Sequence, residues 1–260
     1  MKRGALALLF VMMAAPAQAG LSKAQLATVR VDAKPDAQLP LPLAFTDEHG
    51  NATTLGKAID GKPSLVIFAD FTCRNICGPV LAFAAGGLEK SGLTPNKDFR
   101  VVSIGLDPKD TLAQARAMKQ SRIGDGALAD ATVMLTGGDN AVRAATKAAG
   151  YHFVYDKEND QFAHPAIAFV VTGEGHITRE LSGLGLSGSD LRLALVEAGQ
   201  GKVGGIADRI RLLCYGFDAA TGIYSASIGR IMSGLCIATI VLLAGFIALL
   251  ALRARRRAGA

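Results

Sequence analysis

Residues 61–79 read Gly-Lys-Pro-Ser-Leu-Val-Ile-Phe-Ala-Asp-Phe-Thr-Cys-Arg-Asn-Ile-Cys-Gly-Pro. Gly61-Lys62-Pro63 introduces a continuous apolar run, Ser64–Ala69, that suits a strand buried on both faces. The strand ends close to Cys73, and from about residue 76 to residue 90 the pattern turns helical. The carboxyl end of such a strand is where α/β folds place their sites.

Working outward, residues 43–45 and 52–55 predict a short hairpin around His49-Gly50-Asn51. Residues 100–106 repeat the buried-strand pattern. Asp110 or Thr111 caps a helix running to about Arg122. Residues 131–135 predict a third strand, 140–149 a helix, 165–172 and 176–181 two further strands joined at Gly173-Glu174-Gly175, and 189–198 a last helix. This β-α-β-α-β-α-β-β-α order predicts one α/β sandwich with a mixed sheet over residues 43–198. Residues 20–42, with Pro35, Pro40 and Pro42, read as an extended lead-in.

Half of the 260 residues are apolar and only 19% are charged. With a mean hydropathy of +0.30, the chain is too apolar for a purely soluble protein of this size. The net charge is +6. Lys2, Arg3, Arg253, Arg255, Arg256 and Arg257 account for all of it, so the chain between the two ends is formally neutral. That removes the electrostatic support a nucleic-acid partner requires.

The ends predict the compartment instead. Lys2 and Arg3, an apolar run, and Ala17-Gln18-Ala19 have the three-part shape of a secretory signal peptide over residues 1–19. Residues 231–252 carry no charge and reach about 33 Å as a helix, enough to cross a bilayer. The arginines of the tail, 253–260, stay cytoplasmic under the positive-inside rule. The expectation is a single-pass inner-membrane protein whose main domain faces the periplasm, joined to its C-terminal helix by a Gly-rich linker and juxtamembrane segment, 199–230. That compartment permits disulfides.

Of the four cysteines, Cys236 falls inside the apolar run and reads as filler. Cys73 and Cys77 lie about one helical turn apart at a strand-to-helix junction, so both sulfurs can point the same way. A helix N-terminus favours the thiolate, the form that attacks disulfides and binds metal. A structural disulfide, a redox-active dithiol and a soft-metal site all fit the pair. Two sulfurs plus one imidazole suit copper better than zinc. Among His49, His152, His164 and His176, His164 lies just before an apolar strand in a loop that can return to the end of the first buried strand, although a single histidine beside a strand is by default a satisfied surface group.

These segments resemble the Sco/SenC family of thioredoxin-like proteins over about residues 43–198. The resemblance rests on the strand and C-x-x-x-C of residues 68–79, on Ser103-Ile104-Gly105-Leu106-Asp107-Pro108-Lys109-Asp110-Thr111, and on His164 ahead of its strand. Arg74 and Gly78 stand where many members have proline. The resemblance implies a thioredoxin-like three-layer sandwich and copper bound by Cys73, Cys77 and His164. It also implies a chaperone without turnover of its own, delivering copper to the binuclear copper centre of cytochrome c oxidase or a similar cuproprotein. A periplasmic thiol-disulfide oxidoreductase acting through Cys73 and Cys77 is the alternative, and it has no need of His164. Asp107 and Asp110 read as turn and capping residues, with a partner-docking role implied by resemblance alone. Residues 214–225, from Cys214 onward, are similar to a segment that follows the domain in some membrane-anchored relatives. Their aromatics suit a membrane interface.

Overall fold

In the central strand, Leu65, Ile67 and Ala69 face one apolar cluster while Val66 and Phe68 face another, and all five are at most 1% exposed. A strand with two buried faces needs helices on both sides of its sheet, and that requirement organises the molecule. The computed structural model describes residues 21–32, 34, 37–73 and 77–200, then 215–218, 223–226, 233 and 236–247; of Cys77 it describes the backbone alone. The elements in chain order are α1 (Lys23–Leu26), β1 (Arg30–Val31), β2 (Ala44–Asp47), β3 (Ala52–Thr54), α2 (Leu55–Ile59), β4 (Ser64–Ala69), α3 (Cys77–Lys90), β5 (Arg100–Gly105), α4 (Leu112–Arg122), α5 (Ala127–Asp130) and β6 (Thr132–Thr136). They continue with α6 (Asp139–Ala148), β7 (Tyr151–His152), β8 (Val154–Asp156), β9 (Gln161–Ala163), β10 (Ile167–Val171), β11 (Ile177–Ser182), α7 (Gly188–Ala198), β12 (Tyr215–Asp218) and β13 (Ile223–Ala226).

The main sheet has seven strands in the order β11-β10-β4-β5-β6-β2-β3. β4, β5 and β6 are parallel, and β10 and β2 close antiparallel on either side of them. Apolar residues of α3, α4 and α7 cover one face; those of α2 and α6 cover the other. This is the α/β sandwich with a mixed sheet that the element order predicts, in the three layers that the family resemblance implies.

The elements depart from the sequence reading where they are short. α2 follows β3 directly, its first turn capped by Thr54 Oγ1 accepting from the Lys57 N–H at 3.2 Å. Five residues are too few to show a helical period. The extended reading of the lead-in also holds only in part. Lys23–Leu26 forms one helical turn, boxed by Ser22 and Gln25, and Arg30–Val31 pair with β7. Leu39 is 1% exposed because it packs in the α2 and α6 face of the core.

Residues 1–19, where a signal peptide is expected, Arg74, Asn75, Cys214 and residues 253–260 lie outside the described residues. Inside the expected span of 231–252, residues 236–247 are helical, with Ile237, Ile240, Val241, Leu242, Leu243, Phe246 and Ile247 exposed. Among the described residues no helix is long and apolar enough to cross a membrane. Of the segment proposed for the membrane interface, β12 and β13 form an antiparallel hairpin.

Candidate metal centre

Three loops meet beyond the carboxyl ends of β4 and β5. The first carries Asp70, Phe71, Thr72 and Cys73. Asp70 is 1% exposed, and its carboxylate is satisfied from both sides. Oδ1 accepts from the Thr72 N–H at 2.9 Å and the Thr72 hydroxyl at 2.7 Å, and Oδ2 accepts from the Phe162 N–H at 3.2 Å. Through these bonds the buried carboxylate ties the cysteine loop to β9. The Cys73 N–H donates to the Asp70 carbonyl at 3.1 Å, which turns the chain so that the half-buried Cys73 packs against the α3 face of the core.

Cys77 is the first residue of α3, so its backbone stands at the positive end of that helix. One residue on, Gly78 lies under the Arg122 guanidinium; a Cβ at this position would run into Arg122 Nε. The glycine gives an arginine from α4 room to lie against the first turn of α3. Arg122 entered the sequence reading only as the end of a helix.

The second loop follows β5. Asp107 Oδ1 accepts from the Lys109 N–H at 2.8 Å, the turn role expected of it. The helix cap itself is Thr111, whose hydroxyl accepts from the Gln114 N–H while the Gln114 side chain returns to the Thr111 N–H. Asp110 does something else. It points inward, with Oδ2 taking the Phe71 N–H at 3.4 Å and Oδ1 buried without a hydrogen-bond partner. Gly105 leaves the room for this: a Cβ there would stand 2.9 Å from Asp110 Oδ2 and 3.1 Å from the Phe71 ring.

Burial, with Asp70 and Asp107 nearby adding their repulsion, pushes Asp110 from an ordinary 3.8 up to about 7. The native state therefore keeps a proton that the unfolded chain has lost, and stability falls as pH rises through that window. Asp110→Asn is expected to match the native protein below about pH 4 and to exceed it progressively up to about pH 7. Above that the gain levels off at about 2 kcal/mol, a full shift discounted for partial exposure. Urea unfolding at pH 4 and pH 8 checks this, and an equal midpoint difference at both would refute it.

The third element is the β8–β9 hairpin, which the sequence reading missed. Tyr155 pairs with Phe162 in its register, and Asp160 turns the chain with a positive φ of 47°. Lys109 reaches over from the second loop, donating to Asp160 at 3.2 Å and lying 5.3 Å from the centre of the Tyr155 ring. The Tyr155 hydroxyl also donates to Asp160. The hairpin brings the chain back to Asp70 through Phe162 and delivers His164 immediately after β9.

His164 is half-buried, whereas His49, His152 and His176 are exposed. Burial holds its imidazole below the ordinary value, opposed by the Pro165 carbonyl and by the charges of Cys73 and Asp70, so the ring is neutral at pH 7. A neutral imidazole within reach of the Cys73 charge is the form a metal requires. The structure thus brings His164 close enough to Cys73, 91 positions earlier in the sequence, to feel its charge, with the Cys77 backbone opening the adjacent helix. Among the described residues no three Cys, His, Asp or Glu side chains form a group able to hold a metal ion, and the Cys77 side chain is not among those described. Two sulfurs and one imidazole are a soft donor set that fits copper.

No curated protein matches the chain. Solved structures do, and they share its fold. A protein of Aquifex aeolicus VF5 is 23% identical, with 64% of this chain and 95% of that one covered, at a TM-score of 0.58. Arabidopsis thaliana ScoI with copper bound is 19% identical over 61% of this chain and 96% of its own, at 0.51. BsSco, a member of the Sco family of cytochrome c oxidase assembly proteins, is 21% identical over 65% and 98%, at 0.51. The SCO1/SenC family model matches residues 31–189, which runs from β1 into the first turn of α7 and takes in all three loops of the site, and the chain belongs to that family.

Proposed function

We propose that this chain is a membrane-anchored copper chaperone whose domain faces the periplasm. In this reading Cys73 and Cys77 thiolates and His164 hold the copper. The cargo passes by ligand exchange to a thiolate-bearing acceptor, the binuclear copper centre of cytochrome c oxidase or a similar cuproprotein. Three-coordinate copper on loop residues leaves a face open to an incoming ligand. Membership of the SCO1/SenC family and the copper held by the Arabidopsis relative support the cargo. BsSco's place among oxidase assembly proteins supports the acceptor. The signal-peptide and anchor patterns support the location.

The observation that carries the reading is His164. Copper coordination needs a neutral imidazole such as the one held beside Cys73, whereas thiol-disulfide exchange at Cys73 and Cys77 proceeds without it. In the full chain, purified in mild detergent and reduced, Cu(I) titrated against a competing chelator is expected to show one tightly bound ion. His164→Ala is expected to weaken it by at least about tenfold, the least that losing even a ligand's supporting partner usually costs. If His164→Ala binds copper as the native chain does, the metal reading fails and the dithiol reading takes its place.

A further inference from the structure

Tyr151 is 3% exposed and belongs to the core. Its ring centre lies 4.8 Å from that of Phe68 and 5.9 Å from that of Phe169. Yet its one polar atom reaches the metal centre. Tyr151 Oη is 2.7 Å from His164 Nδ1 and donates to the Pro165 carbonyl at 2.7 Å, while Nδ1 stands 3.0 Å from that same carbonyl.

Counting protons favours one tautomer, since a phenol donating to Nδ1 would leave the Nδ1 lone pair opposed to the Pro165 carbonyl 3.0 Å away. A carbonyl oxygen only accepts, and a phenol has one proton to give. With that proton on the Pro165 carbonyl, Nδ1 faces two oxygens that offer it no hydrogen. A bare lone pair on Nδ1 would oppose both of them; an Nδ1–H satisfies them. In the neutral ring, the basic lone pair is then on Nε2. We infer that Tyr151 is a positioning residue for His164: its hydroxyl, together with the Pro165 carbonyl, fixes the Nδ1–H tautomer and the ring plane so that Nε2 is the atom presented to copper. The hydroxyl is held in turn by a ring packed in the core, so the rigidity of the sheet is passed to a ligand that sits on a loop. The inference rests on the copper reading above and names the residue that supports its histidine.

Tyr151→Phe keeps the ring and removes only the hydroxyl, so the core stays filled. Two measurements on the full chain in detergent test the inference. Cu(I) competition titrations on the native chain, Tyr151→Phe, His164→Ala and the double variant form a cycle. Tyr151→Phe is expected to lose about 10–100-fold in affinity on the native background and nothing further on the His164→Ala background. In the metal-free protein, imidazole 15N shifts are expected to show His164 protonated at Nδ1, with the two nitrogen shifts moving toward each other in Tyr151→Phe. The inference is overturned by native-like copper affinity in Tyr151→Phe, by an equal loss on both backgrounds, by an Nε2–H tautomer in the native chain, or by nitrogen shifts that the substitution leaves unmoved. Should the native chain bind no copper, the copper reading falls, and the 15N comparison alone decides the role of Tyr151.

Discussion

Cys73→Ser is expected to weaken Cu(I) binding by about a hundred- to a thousandfold while leaving the fold in place. A structural metal site with four ligands is worth about 10–16 kcal/mol, so one ligand accounts for about 3 kcal/mol, or two orders of magnitude and more. Serine replaces a soft, ionisable sulfur with a hard oxygen that stays protonated, which Cu(I) binds poorly. Structurally the exchange is mild. Cys73 is half-buried at the rim of the α3 face, and the bonds that shape its loop run through its own N–H and through Asp70 and Thr72, none of which the substitution touches. The chelator competition should therefore report a large change while circular dichroism and the thermal midpoint stay close to native. Native affinity in Cys73→Ser would remove the Cys73 sulfur from the site. A loss of affinity matched by a loss of fold would instead make Cys73 a core residue, and the ligand role would fall with it.

The parts of the fold that the sequence reveals are those where one interaction decides the local structure. Ser64–Ala69 and Arg100–Gly105 are buried on both faces, so nearly every position is apolar and the strands stand out. Thr111 and Gln114 form a capping box whose members are three residues apart, so the start of α4 shows in the sequence. The β8–β9 hairpin shows no such mark. Its strands have three residues each, all half-buried, too few for alternation to appear. It is held from outside, by Asp70 accepting from Phe162, 92 positions away in sequence, and by Lys109 reaching Asp160. The site divides in the same way. Cysteines four apart beside a helix start are a local pattern, and His164 stands out among four histidines. Tyr151 does not: in Gly150-Tyr151-His152-Phe153 it looks like one more aromatic near a turn. Only the fold shows that its ring belongs to the core and its hydroxyl to the centre. Asp110 is the complementary case, read as a cap because Asp and Thr both cap helices, and turned inward because Thr111 already fills that role.

Phe68→Ala is expected to cost about 3–5 kcal/mol of stability, the usual range for deleting a fully buried phenylalanine. Phe68 is 1% exposed in the central strand, near the carboxyl end of β4. Its ring meets Phe169 of the adjacent strand nearly edge-on at 5.9 Å and tilts against Tyr151 at 4.8 Å. Both contacts vanish with the ring, adding to the cavity the loss of two aromatic pairs. The Tyr151 contact gives this position an effect beyond stability. Phe68 is the floor on which the Tyr151 ring rests, and Tyr151 in turn holds His164. Emptying the floor lets the tyrosine sink or tilt, and at a hydrogen bond of 2.7 Å a shift of one ångström breaks the contact. Phe68→Leu separates the two effects, since it fills most of the volume and is expected to cost about 1–3 kcal/mol, mainly the two aromatic pairs. Denaturant unfolding of the three chains gives the stabilities, and Cu(I) competition under native conditions gives the affinities. If the core carries the ligand as described, affinity falls in the order native, Leu, Ala along with stability. If Phe68→Ala loses its stability yet binds copper as tightly as the native chain, the packing under Tyr151 has no part in holding His164.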